Sequence, residues 1–126
     1  MSLISDIADY LATQGLGTVG TDIFYSYMPD AGDNIMAVLD SGGVKPDIYL
    51  PTKDQTFQIF IRSSTYAAGK SKLDSVRSEL HNLYNTTIGS YYFYYIQAIA
   101  EGGHLGRNPD MRGLDEFSIN FHAKTR

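Results

Sequence analysis

GLGTVG, residues Gly15 to Gly20, carries the glycine spacing of a dinucleotide-binding turn, and its flanks decide the fold. A nucleotide site of that kind needs a strand before the turn and a helix after it, so that N–H groups of the first helical turn face the phosphates. Here the order is reversed. Upstream, LISDIADYLATQ (residues 3–14) repeats Leu3, Ile7, Tyr10 and Leu11 at helical steps, with Ser5 or Asp6 able to cap. Downstream, DIFYSYM (residues 22–28) is β-branched and aromatic, the composition of a strand. Gly15 then serves as the left-handed C-cap of a first helix, and Gly17 and Gly20 shape the turn that follows. A small ligand-binding domain using the Gly15 to Gly20 loop is the competing reading.

At 126 residues the chain fits a single domain, residues 1–126, able to bury one core without staples. It has no cysteine, which excludes disulfides, thiolate metal sites and a thiol nucleophile. No apolar run approaches the ~20 residues that span a bilayer, and the N-terminus lacks a leader pattern, so a soluble chain with no membrane partner is expected. Ten basic against 14 acidic residues leave a net charge of -4, without any Lys/Arg cluster. Specific nucleic-acid binding is not expected of such a surface. Ten tyrosines and six phenylalanines exceed what one small core needs, and surplus aromatics favour subunit interfaces.

Further along, NIMAVLD (residues 34–40) reads as a short apolar strand, and Ser41 to Gln55, with paired glycines and two prolines, as a long loop of functional length. TFQIFIR alternates Phe57, Ile59 and Ile61 against Gln58, Phe60 and Arg62, a strand. Ser63, Ser64 or Thr65 then caps a second helix whose apolar stripe is Tyr66, Leu73, Val76, Leu80 and Leu83; Gly69 weakens its first turns and NTTIGS (residues 85–90) ends it. SYYFYYIQAIAEGG (residues 90–103) is a strand with two greasy faces. One face takes the helices; the other is covered by loops or a second subunit, or leaves its tyrosine hydroxyls at a solvated rim. The closing HLGRNPDMRG and LDEFSINFHA form a hairpin with Phe117, Ile119 and Phe121 on one buried face. The order predicts an α+β fold: a mixed or mainly antiparallel sheet, two helices on one face and a C-terminal β-hairpin.

No catalytic or metal-binding constellation stands out. His81, His104 and His122 are scattered without an HxxxH or HExxH pair and read as solvated side chains. Asp30 and Asp33 suit turn chemistry better than a cation site, and the neighbours Asp115 and Glu116 fall on opposite strand faces. GxSxG and P-loop patterns are absent. Arg62 and Arg107 can each pair a carboxylate on a neighbouring subunit or stand as solvated rim residues.

GLGTVGTDIFYSYMPD, DSGGVKPDIYLPT, FQIFIRSSTY and GRNPDMRGLDEFSINFHA, in this order and spanning nearly the whole chain, resemble the minor capsid proteins that act as tail terminators, or tail-completion proteins, of long-tailed phages. The resemblance implies a non-enzymatic virion protein of phage or prophage origin, without cofactor or metal. It implies a ring, usually a hexamer, that caps the tail tube and meets the head-tail connector, with DNA only passing through its channel. The free subunit is expected to stay monomeric in the host cytoplasm until it meets the tube. Another head-tail connector or neck role is the alternative within the same class. For the interface between subunits or partners the expected residues are Tyr92 and Tyr94 of the aromatic strand, Arg62 and Arg107, and Val44, Asp47 and Tyr49 of the long loop.

Overall fold

The first helix, α1, runs Leu3–Thr13 and buries Leu3, Ile4, Ile7 and Leu11. It stops at Gly15, which sits at φ 84° while its N–H donates to the Ala12 carbonyl (3.0 Å) and the Leu16 N–H donates to that of Leu11 (3.1 Å). That pair of bonds satisfies the last free carbonyls of the helix through a left-handed residue that glycine adopts without a Cβ penalty. The turn leads into β1, Ile23–Tyr25, so helix precedes strand as its flanks predict. The structure, a computed structural model, describes residues 3–29, 33–43, 53–81, 83–99, 102–108 and 114–125. β1 is shorter than DIFYSYM suggests because Ser26 takes φ 73° and leaves the extended region.

β2 (Ile35–Gly43) and β3 (Lys53–Ser63) lengthen the predicted strands at the expense of the loop between them, since Ser41–Gly43 and Lys53–Gln55 belong to strands. α2 spans Tyr66–Leu80, capped by the Thr65 hydroxyl, which accepts the Ala68 N–H at 3.2 Å. Its inward stripe is Gly69, Leu73, Val76 and Leu80. Tyr66 is exposed at the helix start, and Leu83 already belongs to β4, Leu83–Ile88. NTTIGS thus forms most of a strand rather than a helix stop; the helix ends at His81, where the chain turns extended. β5 (Tyr91–Ala98), β6 (Gly103–Asn108) and β7 (Leu114–Thr125) complete the chain.

The sheet order is β1-β2-β3-β7-β5-β4, with β6 also on β7. β1 and β2 are parallel and every other pairing is antiparallel. β7 is the spine: it pairs with β3 along its whole length, from Lys53↔Thr125 to Ser63↔Asp115. On its other edge β5 covers Phe121–Thr125 and β6 covers Leu114–Ser118. The Ile99 N–H donates to the Asn120 carbonyl (2.9 Å) between them, so β5 and β6 run as one long antiparallel partner broken by register shifts. Each shift is a bulge, and bulges add right-handed twist, which curls the sheet.

Met36, Val38, Phe57, Ile59, Ile61, Phe117, Ile119 and Phe121 share one face of this sheet and form one cluster with the apolar stripes of both helices. The α+β class, helices on one face and closing hairpin are as the residues predict. α1 also pins the β4–β5 turn: the buried Asp6 carboxylate accepts from the Ser90 N–H (3.1 Å) and hydroxyl (2.9 Å) through Oδ2. Gly89, at φ 58°, lies so close that an added Cβ would run into that carboxylate. Gly89→Ala should therefore cost about 2–4 kcal/mol, combining left-handed strain with the clash. In an Asp6→Ala background the same change should cost only the left-handed strain of about 1–2 kcal/mol; equal penalties in urea melts of the two backgrounds would show that the carboxylate is not the obstacle.

Tyr10 packs at the rim of the cluster, and burial, then the Glu79 carboxylate, holds its phenol above the ordinary value of 10.0. The folded chain thus keeps this proton longer than the unfolded one, so its contribution is complete below pH 10.0 and is lost as pH rises through the folded value. Tyr10→Phe should flatten the alkaline fall of Tm while leaving the neutral region close to unchanged.

Candidate subunit interface

The tyrosine-rich strand β5 resolves its two greasy faces through a bulge. Phe93 faces Thr125 and Tyr95 faces Lys124, which leaves Tyr94 as an extra residue. Phe93 and Ile96, three apart instead of two, are fully buried towards the helices, while Tyr92, Tyr94 and Tyr95 are half-buried on the outer face. Their rings support one another. Tyr92 and Tyr94 meet edge to face at 5.1 Å, and Tyr95 stands edge-on to His122 at 5.5 Å. The Tyr92 hydroxyl donates to Asn85 Oδ1 (3.2 Å), and Asn85 itself sits at φ 49°, a conformation asparagine tolerates. Both helices pack on the opposite face, so among the described residues no second layer covers this outer surface.

Around the tyrosines the outer face is mixed: Gln58, Asn120, Ser118 and Glu116 alternate with the inward residues of β3 and β7, and Ala37, Leu39 and Phe60 share that face. His122 Nε2 lies 3.1 Å from Asp54 Oδ1 across the β3–β7 ladder. His104, from β6, lies 2.9 Å from the buried Asp115 and stacks edge-on against Tyr66 at 5.0 Å. His81 Nδ1 accepts the Ala98 N–H at 2.9 Å. The three histidines are thus individually held rather than simply solvated, each by a partner distant in sequence. Asp115 is buried and Glu116 faces outward, the opposite orientation expected of neighbours in a strand. No group of three His, Asp or Glu able to hold a metal occurs among the described residues.

Arg107 lies in β6 opposite Asp115, on a strand whose far edge has no partner among the described residues; its side chain is outside them. Leu105 of the same strand is exposed. Val44, Asp47 and Tyr49 also lie outside the described residues. Arg62, expected either to pair a carboxylate on a neighbouring subunit or to stand as a solvated rim residue, is buried within the protomer. It is only 5% exposed, and its Nη1 donates to the Pro29 carbonyl at 2.7 Å. It lines a cavity of about 230 Å³ between the first half of α2, the adjoining ends of β2 and β3, and the turn after α1. The sequence hides this burial because the carbonyl that holds the guanidinium lies 33 positions earlier in the chain.

Residues 10–126 match the protein family described as Bacteriophage tail terminator protein. No curated protein sequence matches the chain. Five solved chains are similar in structure. One of them, from a structure described as the virion of a native gene transfer agent particle, superposes with a TM-score of 0.70 over 98% of this chain and 94% of its own length. The two are 13% identical, so the likeness speaks for the fold.

Proposed function

The chain belongs to the bacteriophage tail terminator family, and we propose that it closes into a ring that caps the tail tube and offers its far side to the head-tail connector. Tail termination is a structural role in a phage-type virion, so the surfaces rather than a reaction centre carry the function. The observation that supports the ring most is the outer sheet face: three tyrosines on one bulged strand with no covering layer among the described residues, beside a strand edge that has no partner among them. A cyclic ring joins two different patches of the subunit, and a half-buried aromatic patch and an open edge are two such patches. Tyr92 and Tyr94 form the first, and β6 with Arg107 the second. Val44, Asp47 and Tyr49, outside the described residues, complete the proposed interface. Arg62, also expected at this interface, is buried within the isolated protomer.

In this reading the ring is hexameric, DNA passes through it without specific contacts, in keeping with the acidic balance of the chain, and no catalysis or cofactor is involved. Assembly takes place in the host cytoplasm, with the subunit monomeric until it meets the tube. Sedimentation velocity over a wide concentration range, with and without purified tail-tube protein, tests this. A closed oligomer, formed alone or only with the tube protein, is the expected result. A monomer indifferent to both would overturn the ring.

The double substitution Tyr92→Ala/Tyr94→Ala should weaken that oligomer by at least about tenfold, since buried interface aromatics commonly contribute upwards of 1–2 kcal/mol each. Its circular dichroism spectrum and cooperative melt should persist, because neither ring belongs to the core cluster. Unchanged assembly would remove β5 from the interface.

A further inference from the structure

We propose that both ends of the sheet are closed to strand addition by a second copy of this chain, and that Ser26 and Asn85 are the residues that close them. Among the described residues these two are the only non-glycine positions at positive φ, 73° and 49°. Each belongs to an outermost strand: Ser26 follows β1 directly, and Asn85 stands in the middle of β4. A left-handed residue costs stability, least at asparagine, and here each one falls where an extended residue would lengthen a free edge.

An outermost strand carries a row of unpaired N–H and C=O groups, a template for another chain. β1 offers almost none of that row. The Met36 N–H meets the Asp22 carbonyl (2.8 Å) and the Ser26 N–H meets that of Val38 (3.0 Å), so by alternation Ile23 and Tyr25 face the free side. Ile23 is already taken by the preceding turn: its N–H donates to the Thr18 carbonyl (3.1 Å) and its carbonyl accepts the Gly20 N–H (2.8 Å). Tyr25 alone is left before Ser26 turns the chain out of the extended region. In β4 the break is not imposed by the register of its own hairpin. Tyr84 faces Tyr95 and Thr86 faces Phe93, so an extended residue at 85 would face Tyr94 with none gained or lost. Left-handed Asn85 instead divides the strand into residues 83–84 and 86–88, and the Thr86 hydroxyl donates to the Tyr84 carbonyl (2.8 Å). β6 is interrupted likewise, by the register shift between His104 and Gly106, the latter at φ 118°. A second chain therefore finds no run longer than three residues on β1, β4 or β6, short of the usual strand of about 5–6. The closure concerns backbone edges and does not rest on the ring, whose subunits meet through side chains.

Asn85→Val and Ser26→Val each install a β-branched residue that the left-handed region excludes, on two different strands, and Ser26 is exposed outside the core. Amide hydrogen exchange at rising protein concentration reads residues 23–27 and 83–88 separately, with sedimentation velocity alongside. In the parent these amides should gain no protection with concentration, even where the chain associates. In each valine variant the altered strand should gain protection as concentration rises, and association should set in at a concentration at least about tenfold lower. Asn85→Gly keeps the left-handed backbone and should behave as the parent, which separates the backbone effect from loss of the Tyr92 hydrogen bond. Retained protection of β3 and β7 identifies folded variants. A folded valine variant that associates no more readily than the parent, or parent edge amides that become protected on association, would overturn the proposal.

Discussion

Leucine at position 69 should leave this chain unfolded at room temperature, and alanine there should lower its stability although alanine is the better helix former. Gly69 sits on the buried stripe of α2, where an added Cβ would overlap the edge of the Phe117 ring, with Cδ1 and Cζ each 2.8 Å away. Phe117 has no room to swing aside. It is fully buried, with Tyr66 against it at 5.6 Å and His104 at 4.9 Å between ring centres. Alanine gains about 1 kcal/mol of helix propensity and should lose about 2–3 kcal/mol to overpacking, for a net loss of about 1–2 kcal/mol. Leucine adds three more carbons to the same overlap, and a cost above about 5 kcal/mol reaches the total stability of a marginal domain. Circular dichroism and urea melts of the two variants check this. An alanine variant more stable than the parent would mean that α2 and the ring separate without loss.

Phe121→Ala is the second large effect. Phe121 pairs with Phe57 of β3 on one side and Ala98 of β5 on the other, and its ring stacks on Phe57 at 5.2 Å and 18°. Both rings are fully buried. Removal should cost about 3–5 kcal/mol for the lost contacts and the cavity. With a urea dependence of about 1–3 kcal/mol per molar, the unfolding midpoint should fall by at least about 1 M. A fall of less than half that would mean that β5 collapses into the space.

Gly69 also marks where the residues alone mislead. In the sequence it reads as a weak point of a helix, because propensity is local and the Phe117 ring it admits lies 48 positions further on. The elements governed by local chemistry are legible: α1 with its Gly15 stop, the Thr65 cap, and the period-two strands β3 and β7. β4 is hidden because Asn85 and Gly89 carry turn signals, and its strand geometry comes from pairing with β5. The outer tyrosine face is legible as an excess of aromatics, but not the side each ring takes. That is decided by the register shift between Phe93 and Tyr95, which depends on β7. The burial of Arg62 is less legible still, since the Pro29 carbonyl that its Nη1 meets lies 33 positions earlier in the chain.

The position of β7 in the chain bears on how the molecule is made. Its partners β3, β5 and β6 all precede it, and the longest pairing joins residues 53–63 to residues 115–125. During synthesis, at roughly 5–20 residues per second, β3 therefore waits several seconds with Phe57, Ile59 and Ile61 unpaired on one side. Closure over so many residues places the protein among slow, topology-limited folders. It also makes synthesis of residues 114–125 a condition for the continuous sheet. A chain interrupted before Leu114 lacks the strand on which β3, β5 and β6 all pair, and so presents these three strands as separate, unpaired edges.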